Sequence, residues 1–171
     1  MLSTAGRLTP SATIGPVTSP RLSVGEYAFP GPLRDQLVAA IVSGAKTTTS
    51  ALLIGYEHDG EPLPEPGDRQ VVIDSAGAPV ALTDVVAVRV VRVADVDLAH
   101  AIGEGEGFAT VAEWRAAHER FWHSPEIRTE LADPTFTVTD ETEIIAEEFR
   151  LLPTPAEDLP ALLRQARAAT A

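Results

Sequence analysis

Apolar side chains recur at helical spacing in several stretches of the chain. The clearest are residues 32–43 and 111–122, where large apolar residues return every three or four positions and predict amphipathic helices. A short helix is predicted over Asp97–Ile102. An alanine-rich helix is predicted over 158–169, with Pro160 in its first turn, where proline is tolerated.

β-Branched runs predict the strands. They cover Gln70–Asp74, Pro79–Thr83, Val85–Val93, Thr137–Val138 and Ile144–Leu152. In the third run Arg89 and Arg92 fall in opposite phase, which indicates a bulge or an exposed end. Glu147 and Glu148, in the last run, are expected to face solvent. Strands with helices beside them favour an α+β fold, and we expect a small, partly closed β-barrel with flanking helices.

The chain divides into three predicted segments. Residues 1–26 are rich in Ser, Thr and Pro without an apolar period, which is typical of a flexible leader. Residues 27–152 hold the predicted domain, and residues 153–171 form a helical tail after Pro153. A helical turn is expected from Ser50 to Glu57, following a bend.

Charge and composition exclude several classes of function. The 171 residues carry a net charge of −12 with 13 lysines and arginines, which repels a polyanion, so we expect no DNA partner. Cysteine is absent, which excludes disulfides and thiolate metal sites. No apolar run is long enough for a membrane span and no secretory signal is seen, so a cytoplasmic location without a membrane partner is expected.

Lys46 is the only lysine, and it follows Gly44 at a bend beside three hydroxyl residues, Thr47–Thr49. Glycine past the last periodic residues of a helix supplies a left-handed stop, which aims the following residues away from the helix. A lysine beside hydroxyls suits acid–base or nucleophilic chemistry, or phosphate binding. The alternative is a solvated lysine in a polar loop.

The order of short motifs resembles the ASCH domain. The resemblance runs from about Phe29 to Leu152 and rests on Ser43-Gly-Ala-Lys-Thr-Thr-Thr-Ser50, Tyr56-Glu, Glu61-Pro-Leu-Pro, Pro66-Gly-Asp, Asp95-Val-Asp, Glu104-Gly-Glu-Gly, Trp114-Arg-Ala-Ala-His and Glu147-Glu-Phe. It implies a barrel related to the PUA fold. It also implies a role near RNA or modified nucleosides: RNA binding, ribonuclease activity, or amide hydrolysis of N4-acetylcytidine in a small branch.

The resemblance implies a catalytic set of Lys46, Thr49 and Glu106. Lys46 matches the family lysine, Thr49 the hydroxyl residue three positions on, and Glu106 the glutamate of the acidic loop, with Glu104 as its alternative. A desolvated Lys46 could act as a base toward Thr49, whereas a charged Lys46 would stabilise a carbonyl oxygen. Without the resemblance, both glutamates are expected to lie in a solvent-exposed loop before a helix.

The predicted substrate-binding residues surround this set. They are Thr47, Thr48, Tyr56, Arg89 and Glu104, with Tyr56 as the candidate for stacking a base. The four histidines have no paired ligand spacing, so we expect no structural metal, and no cofactor is predicted.

Three functions remain open at this stage. The first is amide hydrolysis of an N4-acylated cytidine-type nucleoside, which a negatively charged protein does not repel as it does a polymer. The second is an RNA-binding module or weak ribonuclease for single-stranded RNA, which requires Arg89, Arg92 and Lys46 on one face. The third is a noncatalytic nucleotide sensor. The catalytic version predicts that Lys46, Thr49 and Glu106 converge on one pocket.

Overall fold

The computed structural model of the protein describes residues 20–169. Its strands are β1 (Leu22–Gly25), β2 (Thr48–Leu52), β3 (Arg69–Ile73), β4 (Pro79–Arg92) and β5 (Glu143–Leu152). Its helices are α1 (Pro32–Val42), α2 (Leu53–Asp59), α3 (Leu98–Gly103), α4 (Val111–Trp122), α5 (Pro125–Glu130) and α6 (Leu159–Ala169), and a 3-10 turn covers Val93–Asp95. The α+β class predicted from the sequence is confirmed.

The five strands form one mixed sheet in the order β1-β3-β4-β5-β2. Only β1 and β3 pair in parallel, and the other neighbours are antiparallel. The expected barrel is therefore corrected to an open sheet in the described part of the chain, with β1 and β2 at its edges. Helices close those edges instead of strand pairing, since α6 packs against β1 and α3 against β2.

Strand β4 joins two of the predicted runs into one strand of 14 residues. Its pairing with β5 shifts register between Val85 and Ala87, so the irregularity indicated by the arginine phase is present. The shift changes which side chains share a face. Val85 is paired with Phe149 and Val88 with Glu147, so all four lie on the same face of the sheet.

Each face of the sheet carries its own apolar cluster. The cluster under α1 contains Tyr27, Leu37, Val38, Ile41, Val72, Ala81 and Phe149. The cluster under α4 is built around Trp114, Trp122, Leu52, Val93 and Ile144. The sheet thus lies between two packed layers, and the bend before β2 is at its edge, next to both layers.

Two local predictions are wrong. The helical turn expected from Ser50 begins only at Leu53, because residues 48–52 pair with β5 as an edge strand. The strand predicted at Thr137–Val138 is an irregular segment, in which the Val138 amide donates to Nε2 of His123. In both places tertiary pairing overrides local propensity.

The predicted leader and tail both contain ordered structure within the described residues. Strand β1 lies in the leader segment and pairs with β3. Helix α6 buries Leu159, Leu163 and Ala166 in a third apolar cluster formed with β3 and β4. Residues 1–19 and 170–171, which belong to the predicted leader and tail, lie outside the described residues.

Replacing Leu163 by alanine tests whether α6 belongs to the core. The side chain is 6% exposed, so its loss should lower the free energy of unfolding by about 2–5 kcal/mol in urea denaturation. Leu33→Ala, at a helical position that is 39% exposed, is the matched control and should cost much less. Equal small effects would show that α6 is a loosely attached tail.

Candidate functional site

Lys46 is buried at the bend between α1 and β2. Gly44 has a left-handed backbone (φ 78°) and the Lys46 amide donates to the carbonyl of Ala40, so the chain turns back under the end of α1. The Lys46 side chain is 1% exposed, and its Nζ lies 2.5 Å from Oε2 of Glu104. The solvated-loop alternative for Lys46 is therefore wrong.

Glu104 reaches Lys46 because the chain reverses direction sharply after α3. It caps the C-terminal end of α3, and Gly105 continues with a left-handed backbone (φ 70°). A Cβ on Gly105 would lie 2.7 Å from the Lys46 backbone. The amide of Thr47 also donates to the carbonyl of Gly103. The loop is thus fixed against the bend by close backbone contact.

The second carboxylate oxygen of Glu104 is held by groups from three elements. Oε1 accepts hydrogen bonds from the Ser50 hydroxyl at 2.7 Å and from Nε1 of Trp114 at 3.3 Å. Nε2 of His100 and Nε2 of His118 lie 3.5 and 3.4 Å from the same oxygen. The carboxylate is fully satisfied in a buried network, as a buried charge requires.

The surroundings of Glu104 keep it ionised. Burial alone would raise its pKa, but the charge of Lys46 and the hydrogen bonds from His100 and His118 outweigh burial and hold the pKa well below its usual range. A carboxylate this close favours an ammonium on Lys46. The pair is therefore an ion pair inside the fold, and it presents Lys46 as a cation.

Glu106 lies in the same loop but is not the direct partner of Lys46. It is partly buried, and burial raises its pKa, an effect that the charge of Lys46 partly opposes. One ligand atom from each of Glu104, Glu106 and His118 lies within 4.8 Å of the others, a spacing that can hold a metal ion. Such an ion would compete with Lys46 for Glu104, whose oxygens are already bonded.

Thr49 and Glu147 lie opposite each other where β2 pairs with β5. Directly paired side chains share a face of a sheet, with Cβ atoms about 4.5–5.5 Å apart. Glu147 is 3% exposed, so the expectation that it faces solvent is wrong, whereas Glu148 is exposed. Burial, reinforced by the charge of Asp68 and opposed by Lys46, raises the pKa of Glu147 to about 7.

Two tyrosines lie near Glu147 on this side. Burial, followed by the charge of Glu147, raises the pKa of Tyr56 to about 12 and that of Tyr27 well above its usual value. The Lys46 Nζ lies 6.0 Å from the centre of the Tyr27 ring. The charge of Lys46 acts on Glu104, Glu106 and Glu147, and Thr49 is paired with Glu147. We call these five residues, with Tyr27 and Tyr56, the Lys46 centre.

The other predicted binding residues line a separate pocket. Thr47, Thr48 and Arg89 surround a cavity of about 370 Å³ together with His100 and Glu148. Strand β2 divides this pocket from Thr49, since successive side chains of a strand point to opposite faces. The predicted site residues therefore fall on two sides of β2.

The basic cluster required for RNA binding is not assembled from the predicted residues. Arg89 pairs with Asp97 at 3.3 Å, and Arg92 with Asp95 at 2.7 Å and Glu141 at 3.1 Å. Lys46 is buried against Glu104. These three cations are each neutralised by a neighbouring carboxylate.

Comparison with known proteins identifies the family of the chain. The sequence profile of the ASCH domain matches residues 26–153. The chain belongs to the ASCH domain family. An ASCH domain crystal structure from Lactobacillus crispatus JV V101 is similar to it with a TM-score of 0.67, 24% identity, and coverage of 77% of this chain and 79% of that one.

A second solved structure shares the fold. A protein from Enterococcus faecalis V583 matches with a TM-score of 0.64 and 23% identity, covering 78% of this chain and 76% of that one. No curated protein matches the chain. Within residues 20–169, no helix is both long and apolar enough to cross a lipid bilayer.

Alanine at Gly105 tests whether the acidic loop is fixed against the lysine bend. Alanine should cost about 1–2 kcal/mol for the left-handed backbone, and at least about 1–3 kcal/mol more because its Cβ meets the Lys46 backbone. Gly107→Ala is the control: its backbone is also left-handed (φ 86°), but no atom lies within 4 Å of the added Cβ. Equal losses in urea denaturation would contradict the close contact.

Proposed function

We propose that this ASCH domain hydrolyses the amide of a small acylated nucleoside, of the N4-acylated cytidine type, at the Lys46 centre. The observation that carries the proposal is the buried Lys46–Glu104 ion pair, which lies at the bend just before the edge strand that carries the Thr49 hydroxyl. A fixed cation beside a nucleophile suits acyl transfer, in which negative charge develops on the carbonyl oxygen.

The geometry supports a distinct role for each group of the predicted catalytic set. Lys46, charged and fixed by Glu104, would donate to the carbonyl oxygen as it becomes an oxyanion. Thr49, which is partly exposed on β2, would attack the acyl carbon. Glu106, whose pKa burial raises, would serve as the acid that gives a proton to the leaving nitrogen.

Access and charge both favour a small substrate. Lys46 and Glu104 are buried, whereas Thr49, Tyr56 and Glu106 are partly exposed, so a ligand would approach from their side. Tyr56 stays neutral and can stack a base, as its sequence position suggested. A nucleoside carries little charge, so the net charge of −12 does not oppose its entry as it opposes a polynucleotide.

Turnover of N4-acetylcytidine tests the proposal. The purified protein should release cytidine and acetate, measured by chromatography, and Thr49→Val should lower kcat by at least about 100-fold, because it removes the hydroxyl and keeps the shape. Thr154→Val is the control: its hydroxyl donates to the carbonyl of Leu152, away from the centre, and its kcat should match the wild type.

The same preparation distinguishes the other functions. No turnover across a panel of N4-acylcytidines would contradict hydrolysis. Thermal stabilisation by a nucleotide without product would then favour the sensor. Retention of single-stranded RNA that falls steeply with salt would favour the RNA-binding module, against the neutralised arginines described above.

A further inference from the structure

Glu147 is the residue of the Lys46 centre whose carboxyl group is not satisfied. Its Oε1 is the only buried side-chain oxygen or nitrogen in residues 20–169 without a hydrogen-bond partner. A buried polar atom left unpaired costs stability, so such an atom in a native fold calls for an explanation. Glu104, which is equally buried, is bonded at both oxygens. Unlike Glu104, Glu147 thus keeps one buried carboxyl oxygen that is not engaged in a hydrogen bond.

The groups around Glu147 come from several elements and include the phenols of Tyr27, before α1, and Tyr56, on α2. Thr49 on β2 and Val88 on β4 are its paired neighbours. Lys46 attracts its charged form, whereas Asp68, before β3, repels it. The charge of Asp68 is itself balanced by Arg21.

We propose that Glu147 is the general base that accepts the proton of the Thr49 hydroxyl as Thr49 attacks the acyl carbon. This inference rests on the proposed function. Thr49 and Glu147 are paired across β2 and β5, they share a face of the sheet, and the carboxyl oxygen has no competing partner. Directly paired side chains on one face have Cβ atoms about 4.5–5.5 Å apart, which places a hydroxyl and a carboxylate within reach of a proton transfer.

The assignment explains why Lys46 need not be a base. An ammonium held by Glu104 has no lone pair for the Thr49 proton, so another group must take it. Glu147 is paired with the nucleophile across the sheet, while the ammonium of Lys46, held by Glu104, stabilises the oxyanion. The general base (Glu147) and the cation that stabilises the oxyanion (Lys46) are thus separate residues.

The proposed steps balance. Glu147 takes the hydroxyl proton as the bond from Thr49 Oγ1 to the acyl carbon forms. The C–N4 bond then breaks, and the amino nitrogen takes a proton from Glu106, so cytidine leaves. Water attacks the acyl-Thr49 ester and gives its proton to Glu106. The ester bond breaks, the Thr49 oxygen recovers its proton from Glu147, and the carboxylic acid is released.

Ionisation of Glu147 fits this task and gives a pH signature. With a pKa of about 7, the carboxylate is present above that pH and is lost below it. The kcat/KM of the wild type should therefore fall as pH drops through about 7. Stability runs the other way: the carboxyl is a weaker acid in the fold than in the unfolded chain, so the fold loses stability as pH rises from about 4.5 through 7.

The test is Glu147→Gln, which keeps the shape and removes the base. Its kcat for N4-acetylcytidine should drop by at least about 100-fold, and the acidic limb near pH 7 should disappear from any residual activity. Glu143→Gln is the matched control: it is an exposed glutamate on the same strand, and its activity should equal that of the wild type. Gln cannot ionise, so the urea concentration at the midpoint of unfolding should not decrease for Glu147→Gln when the pH is raised from 5 to 8. For the wild type it should decrease.

The outcomes separate the two claims. An active wild type with activity in Glu147→Gln within about threefold would overturn the base assignment and leave the proposed function standing. Lost activity with the acidic limb intact would also overturn it, since it would show a structural role for Glu147. An inactive wild type would overturn the proposed function, and the inference with it.

Discussion

The buried charge of Lys46 is the constraint on which the site depends. An ammonium removed from water costs several kcal/mol unless an opposite charge and hydrogen bonds compensate for it. Glu104 supplies the charge, and Ser50 and Trp114 bond its other oxygen. The end of α1, strand β2, the end of α3 and helix α4 must therefore all be in place for the pair to exist. The pair thus ties both layers of the fold to one point.

The sequence predicted the local parts of this arrangement well. Periodicity placed α1, α3, α4 and α6 to within about two residues, and the left-handed backbone expected at Gly44 after α1 is present. The arginine phase indicated the irregularity in β4, which lies at Val85–Ala87. These features follow from spacing along the chain, and spacing is what a sequence shows directly.

Features that depend on pairing between distant segments were not predictable. The prediction of a helical turn from Ser50 hid the strand alternation that sends Thr49 to one face and Ser50 to the other. The choice between Glu104 and Glu106 depended on how the chain turns at Gly105, which loop composition does not fix. Glu147 looked like a solvent-facing strand residue, because nothing local shows that α2 and the segment before α1 cover that face. The open sheet was missed for the same reason.

The site carries two buried carboxylates with opposite properties. Glu104 is fully bonded and strongly acidic, whereas Glu147 is unpaired and weakly acidic. Environments that shift the pKa values of two carboxyl groups in opposite directions are typical of sites in which one group acts as an acid and another as a base. The unpaired buried carboxyl of Glu147 lowers the stability of the fold. Unfavourable local features of this kind are expected where a residue serves a function and not stability.

A double-mutant cycle on Lys46 and Glu104 measures whether the two buried charges stabilise each other. Lys46→Met, Glu104→Gln and the double variant would be compared by urea unfolding at neutral pH. Each single change leaves a buried charge unpaired and should lower the free energy of unfolding by about 3–5 kcal/mol, and the double variant should recover much of that loss. Losses that simply add, with no coupling between the two positions, would contradict an ion pair that organises this site.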